Sequence, residues 1–114
     1  MRLNLQQIKE RQEEFDRNHQ GSIPFFEDIK EGNIEALEHL IVCLVGEVGE
    51  FANILKKIRR GDFTYLDKRG ELEEELVDIF IYIIKMSNQM HSDLEKNYLE
   101  KLERNEVKFQ KYKV

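Results

Sequence analysis

An all-α fold, organised as a four-helix bundle-like domain, is what this sequence predicts, and three observations carry the prediction. Leu37, Ile41, Leu44, Val48, Phe51, Leu55 and Ile58 recur in steps of four and three, the spacing of one face of a helix. Leu72, Leu76, Ile79, Ile83, Met86 and Met90 do the same. Helix punctuation brackets these runs, and the composition, 40% apolar and 36% charged, is that of a soluble helical chain. Two such seams joined by a short loop make the centre of an antiparallel bundle.

Taken in order, the first helix opens at Asn4, with Gln7 three residues on as a capping box, and runs to about His19. "HQGSIPFFEDIKEGN" then interrupts it with Gly21, Pro24 and Gly32, and its Phe25 and Phe26 call for packing partners. The second helix starts near Asn33 and ends at "KKIRRGD", where cations in the last turn and Gly61 just beyond are C-terminal signals. "GDFTYLDKRG" reads as a loop, the third helix as about Glu71 to Met90, and the fourth as opening at a Ser92/Glu95 capping box and running through about Lys111.

At 114 residues the chain is one domain, residues 1–114. With 18 Lys and Arg against 23 Asp and Glu, the net charge is −5, which argues against a general nucleic-acid binder with its basic face. Cys43 stands alone, so neither an internal disulfide nor a CxxC metal site is available. The opening "MRLNLQQIKERQEEF" lacks an apolar signal segment and no run of about 18 apolar residues occurs. The expectation is a cytoplasmic protein without membrane contact.

Beside the apolar seams lie the stripes that carry chemistry. On the second helix one reads Leu40, Cys43, Glu47, Glu50, Ile54, Lys57; on the third, Glu75, Asp78, Tyr82, Lys85. Glu47 and Glu50 are three apart, as are Glu75 and Asp78, so each pair leaves one face of its helix. Antiparallel helices with these faces together would gather four carboxylates at one spot. Such a group repels itself unless a hard divalent cation intervenes, and magnesium commonly shares its shell with substrate phosphates. Solvated glutamates on exposed faces are the other reading that the spacing leaves open. Gly46, Gly49 and Asn53 form a further stripe where another helix or a ligand has room to approach. Lys85 reads either as a phosphate contact or as a snorkelling surface lysine.

"GEVGEFANILKKIRRGD", then "ELEEELVDIFIYIIKM", then "SDLEKNYLEKLERNEVKF" together resemble the MazG-like all-α nucleoside triphosphate pyrophosphohydrolases, over about residues 33–110. The family's ExxE, ExxD and later Asp-Leu-Glu with Lys and Asn correspond here to Glu47 and Glu50, Glu75 and Asp78, Asp93-Leu94-Glu95, Lys101 and Asn105. The resemblance implies cleavage of a (deoxy)nucleoside triphosphate between its α and β phosphates, giving a monophosphate and pyrophosphate, with Mg²⁺ (or Mn²⁺) as cofactor. It implies metal-holding and catalytic roles for Glu47, Glu50, Glu75 and Asp78, and substrate contacts for Lys57, Tyr82, Lys101 and Asn105. It also implies a homodimer or homotetramer with substrate near the subunit boundary, in keeping with a second apolar seam of Val77, Ile81 and Ile84. Two departures are Gly46, where relatives carry an acidic residue, and Phe51, where they carry Leu. His19 and Phe25 are candidates for the nucleobase pocket, in a region whose residues match no motif.

Nucleotide-pool house-cleaning is the favoured role. Rivals are a more selective superfamily member, of dUTPase or phosphoribosyl-ATP pyrophosphatase type, and a non-catalytic helical interaction protein. A di-iron or metal-storage bundle would need Glu-x-x-His pairs, which His19, His39 and His91 do not form.

Overall fold

Side-chain caps set three of the four helix starts. In the computed structural model, which describes residues 1–114, the Asn4 side chain accepts from the Gln7 amide at 2.8 Å and the Gln7 side chain accepts from the Asn4 amide at 2.9 Å. This reciprocal pair starts α1 (Leu5–Arg17). After an irregular stretch and a single 3₁₀ turn, α2 (Ile34–Arg60) follows. It stops where expected: Gly61 takes φ 93° and donates its amide to the Ile58 carbonyl at 3.0 Å. That left-handed conformation costs a non-glycine residue about 1–2 kcal/mol.

The third helix, α3 (Tyr65–Gln89), begins six residues earlier than the sequence reading placed it. Thr64 accepts from the Asp67 amide at 3.1 Å, and Asp67 accepts from the Thr64 amide at 3.2 Å. A Thr-x-x-Asp capping box therefore sits inside the stretch read as a loop, and it satisfies two backbone donors at once. α4 (Leu94–Lys108) is capped by Asp93, which accepts from the Lys96 amide at 3.1 Å, rather than by Ser92. The Ser92 hydroxyl instead accepts from the Asn97 side chain at 3.2 Å, and its carbonyl accepts from Lys9 at 2.8 Å and Ser87 at 3.2 Å. α4 ends three residues short of Lys111, where a 3₁₀ turn, Gln110–Tyr112, takes over.

The α2–α3 pair, joined by the four residues 61–64, forms the antiparallel centre, with Ile34 and Ile41 lining a groove opposite Met86 and Met90. α1 lies on the C-terminal half of α3, where Asn88 donates to the Lys9 carbonyl at 2.9 Å. α4 hardly touches the other three helices.

The apolar seams are only partly buried: Leu72 is buried, and Leu37, Leu44, Phe51, Ile58, Ile79 and Met86 are half-buried. Leu40, Leu72 and Ile84 are the buried apolar residues, whereas Ile41, Val48 and Leu76 are 42%, 44% and 54% exposed. The reason is rotational: α2 turns the stripe of Leu40 and Glu47 toward α3, which leaves Val48 and Leu55 of the neighbouring seam exposed. The radius of gyration is 17.4 Å, against about 13 Å for a compact chain of this length. No helix is long and apolar enough to cross a membrane.

Removing the unforeseen cap by Thr64→Ala is expected to lower the stability of the fold by about 1 kcal/mol. A lower urea midpoint at unchanged slope checks this; no shift would mean the cap contributes nothing.

Candidate metal and active site

Glu47 comes from the middle of α2, and Glu75 and Asp78 from successive turns of α3. One carboxylate oxygen from each lies within 4.8 Å of the other two. All three residues are half-buried, and Oε2 of Glu47 and Oε2 of Glu75 are buried with no hydrogen-bond partner. Ionised carboxylates only accept hydrogen bonds, so these oxygens call for a donor or a cation: a shared proton, a water molecule or a metal ion. The acidity of Glu75 responds accordingly. Hydrogen bonding to Glu47 first, then burial and a bond to Glu50, pushes its carboxyl up to about 7.

Glu50 itself is exposed and meets the cluster from its open side through Glu75. The four carboxylates singled out from spacing are therefore brought together. The donor set is oxygen only, which suits a hard divalent cation, and the two orphaned oxygens are where such an ion would find ligands.

Tyr82 stands one turn beyond Asp78. Burial pushes its phenol up, and the Cys43 thiol and the Glu47 and Asp78 carboxylates add to the shift. Cys43 is half-buried and lies 3.7 Å from His39 Nε2. Lys57 is half-buried and lies two turns past Glu50, about 10 Å along α2. Lys101 and Asn105 are carried on α4, which does not pack on α2 or α3. Within one chain they do not join the carboxylates. A side chain at Gly46 or Gly49 would meet nothing within 4 Å, so these glycines serve no close packing inside the chain and leave open space beside Glu47 and Glu50.

His19 is exposed but engaged. Its ring stacks on Phe15 with centroids 4.0 Å apart and lies 5.7 Å from that of Phe25. Lys85 differs from both sequence readings. It is buried, and its ammonium lies 2.9 Å from Asp16. Its place on the carboxylate stripe was the available signal; its partner, 69 residues away, gave none.

The MazG nucleotide pyrophosphohydrolase domain model matches residues 35–111, more than half of the chain. This chain belongs to the MazG nucleotide pyrophosphohydrolase family. The match takes in α2, α3 and α4 with all four carboxylates and leaves α1 outside. Among curated proteins, the chain is 41% identical over 61 residues to the Gene 37 protein of Mycobacterium phage L5, covering 51% of this chain and 53% of that protein. It is 32% identical over 75 residues to dCTP pyrophosphatase 1 of Rattus norvegicus, covering 62% of this chain and 44% of the relative. The figures for the Mus musculus protein of that name are the same. The chain thus spans about half the length of the curated relatives it matches. No solved structure matches it.

A pH dependence follows for this MazG domain. A carboxyl raised from 4.5 to about 7 holds its proton more tightly in the folded state. In chelator, stability is therefore highest at and below about pH 4.5 as far as this group is concerned, and falls as pH rises toward and through 7. Melting temperatures across that window are expected to drop, and Glu75→Gln to flatten the drop. An unchanged slope in the variant would assign the dependence to other groups.

Proposed function

We propose that this chain is a divalent-cation-dependent nucleoside triphosphate pyrophosphohydrolase that converts a (deoxy)nucleoside triphosphate to the monophosphate and pyrophosphate. The observation that carries the reading is the convergence of Glu47, Glu75 and Asp78, with two buried oxygens left unpaired. The names of the rodent relatives, dCTP pyrophosphatase 1, favour a pyrimidine deoxynucleotide among the substrates and support a house-cleaning role.

Glu47, Glu75 and Asp78 would hold the cation, Mg²⁺ or Mn²⁺, with Glu50 completing the set. The ion supplies Lewis-acid neutralisation of phosphate charge. The carboxylates orient a water molecule toward the α-phosphorus and take up its proton. The bond between the α-phosphorus and the bridging oxygen breaks, and pyrophosphate leaves. Lys57 contacts the phosphates, and the Tyr82 ring packs against the sugar or base. Most of the rate gain in such a site comes from fixed charge and positioning.

Self-association belongs to the same reading. The accessible surface is 9064 Å², against about 6,600 Å² for a compact monomer of 13.7 kDa. An excess of roughly 2,400 Å² per chain is the amount obligate subunits bury. The exposed members of the apolar seams and the unpacked α4 are where it lies. A homodimer or homotetramer would cover them and bring Lys101 and Asn105 to a site.

Two outcomes are expected. With Mg²⁺ and a panel of ribo- and deoxyribonucleoside triphosphates, chromatography should resolve monophosphate and pyrophosphate, and Glu47→Gln or Glu50→Gln should cut kcat by about 100-fold or more. Diphosphate and orthophosphate as products would overturn the cleavage position. In light scattering after gel filtration, the chain should run at a multiple of its mass, and Leu76→Glu should shift it toward the monomer; a monomeric parent chain would refute the assembly.

A further inference from the structure

The residues buried at the C-terminal half of α3 are more polar than apolar. Lys85, Ser87, Asn88 and Gln89 are buried there with Asp16 of α1. Asp16 is only 1% exposed; its Oδ1 accepts from Lys85 at 2.9 Å and from Gln12 at 3.1 Å, while Oδ2 has no partner. Lys85 is thus the only cation that meets the Asp16 carboxylate. The same ammonium donates to the Phe25 carbonyl at 3.3 Å and lies 5.3 Å from the centre of the Phe25 ring. Gln89, one turn on, donates to the Phe25 carbonyl at 3.1 Å, and it accepts from the amides of Glu27 at 3.3 Å and Ile29 at 2.9 Å.

Glu75, Asp78, Tyr82, Lys85 and Gln89 follow one another in steps of three and four, so they share one face of α3. Lys85 therefore lies about 10 Å along the helix from Asp78, with Tyr82 between, a separation comparable to the length of a nucleoside. At that far end the pair holds down the segment that carries Phe15, His19 and Phe25. Phe15 and Phe25 are 50% and 39% exposed beside the His19 ring they flank, and an aromatic cluster at the surface suits a planar base.

We propose that Lys85 is a positioning residue for nucleotide binding. Its buried ion pair with Asp16 and its bond to the Phe25 carbonyl fix residues 15–25 on the α3 face that carries the carboxylates. The role rests on the pyrophosphohydrolase reading above. Because the latch acts on the base-side segment and not on the carboxylates, its loss is felt in substrate binding, not in the chemical step.

The test uses the full-length Lys85→Met/Asp16→Leu double variant. Replacing both partners avoids the unpaired buried carboxylate that Lys85→Met alone would leave. Hydrogen exchange should quicken at the Glu27 and Ile29 amides and stay unchanged through α2, a readout that needs no substrate. For the nucleotide turned over best, KM should rise about tenfold with kcat held within about twofold. Unchanged exchange at Glu27 and Ile29 would overturn the latch. Faster exchange with an unchanged KM, or a fall in kcat at constant KM, would overturn the positioning role alone. Absence of turnover by the unaltered chain would sink the pyrophosphohydrolase reading, and the positioning role with it.

Discussion

Negative charge gathered at the α2–α3 interface is the constraint on which the rest of this molecule turns. Oxygens of Glu47, Glu75 and Asp78 are held within 4.8 Å of one another, in a half-buried place where water screens them incompletely. A helix pair free to choose would put leucines there. In this chain the contact between its two longest helices accepts mutual repulsion and two unpaired oxygens. A carboxyl that holds its proton up to about pH 7 is the cluster's own partial relief. A divalent cation would remove the strain more fully, since it answers every oxygen at once.

That choice of face has consequences for packing. A helix has one azimuth, and turning Glu47 toward α3 turns Val48 away from it. Val48, Leu55 and Leu76 are left exposed, and α4 hardly touches the other helices. Gly46 and Gly49 border the same open side. The exposed apolar residues of α2 and the acidic interface thus share one cause, the azimuth of α2 against α3.

Away from that interface the interior is held by polar bonds. Where α1 meets α3, Lys85 donates to Asp16 and Asn88 to the Lys9 carbonyl, while Gln89 donates to the Phe25 carbonyl and accepts from the Glu27 amide. Buried polar groups of this kind favour one arrangement over near alternatives when they are satisfied. They also tie an otherwise irregular stretch, residues 20–30, to the helix that carries half of the carboxylates. The placement of that stretch and the geometry of the acidic cluster are linked through α3.

Much of this was legible from the order of residues alone. Helix periodicity, the Asn4 and Gly61 signals and the ExxE and ExxD pairs are local patterns, set by the 3.6-residue turn and by backbone groups within four residues. Hence four helices, their approximate spans and the four carboxylates could be named without coordinates. The Thr64/Asp67 cap was equally local but hidden in a stretch whose glycines suggested a loop. What only the tertiary structure decided is whatever depends on the azimuth of one helix against another. That includes which stripe of α2 faces α3, which members of the apolar seams stay exposed, that α4 hardly touches the other helices, and that Lys85 finds Asp16 from 69 residues away. Periodicity names the faces of a helix; only packing decides which face is turned inward.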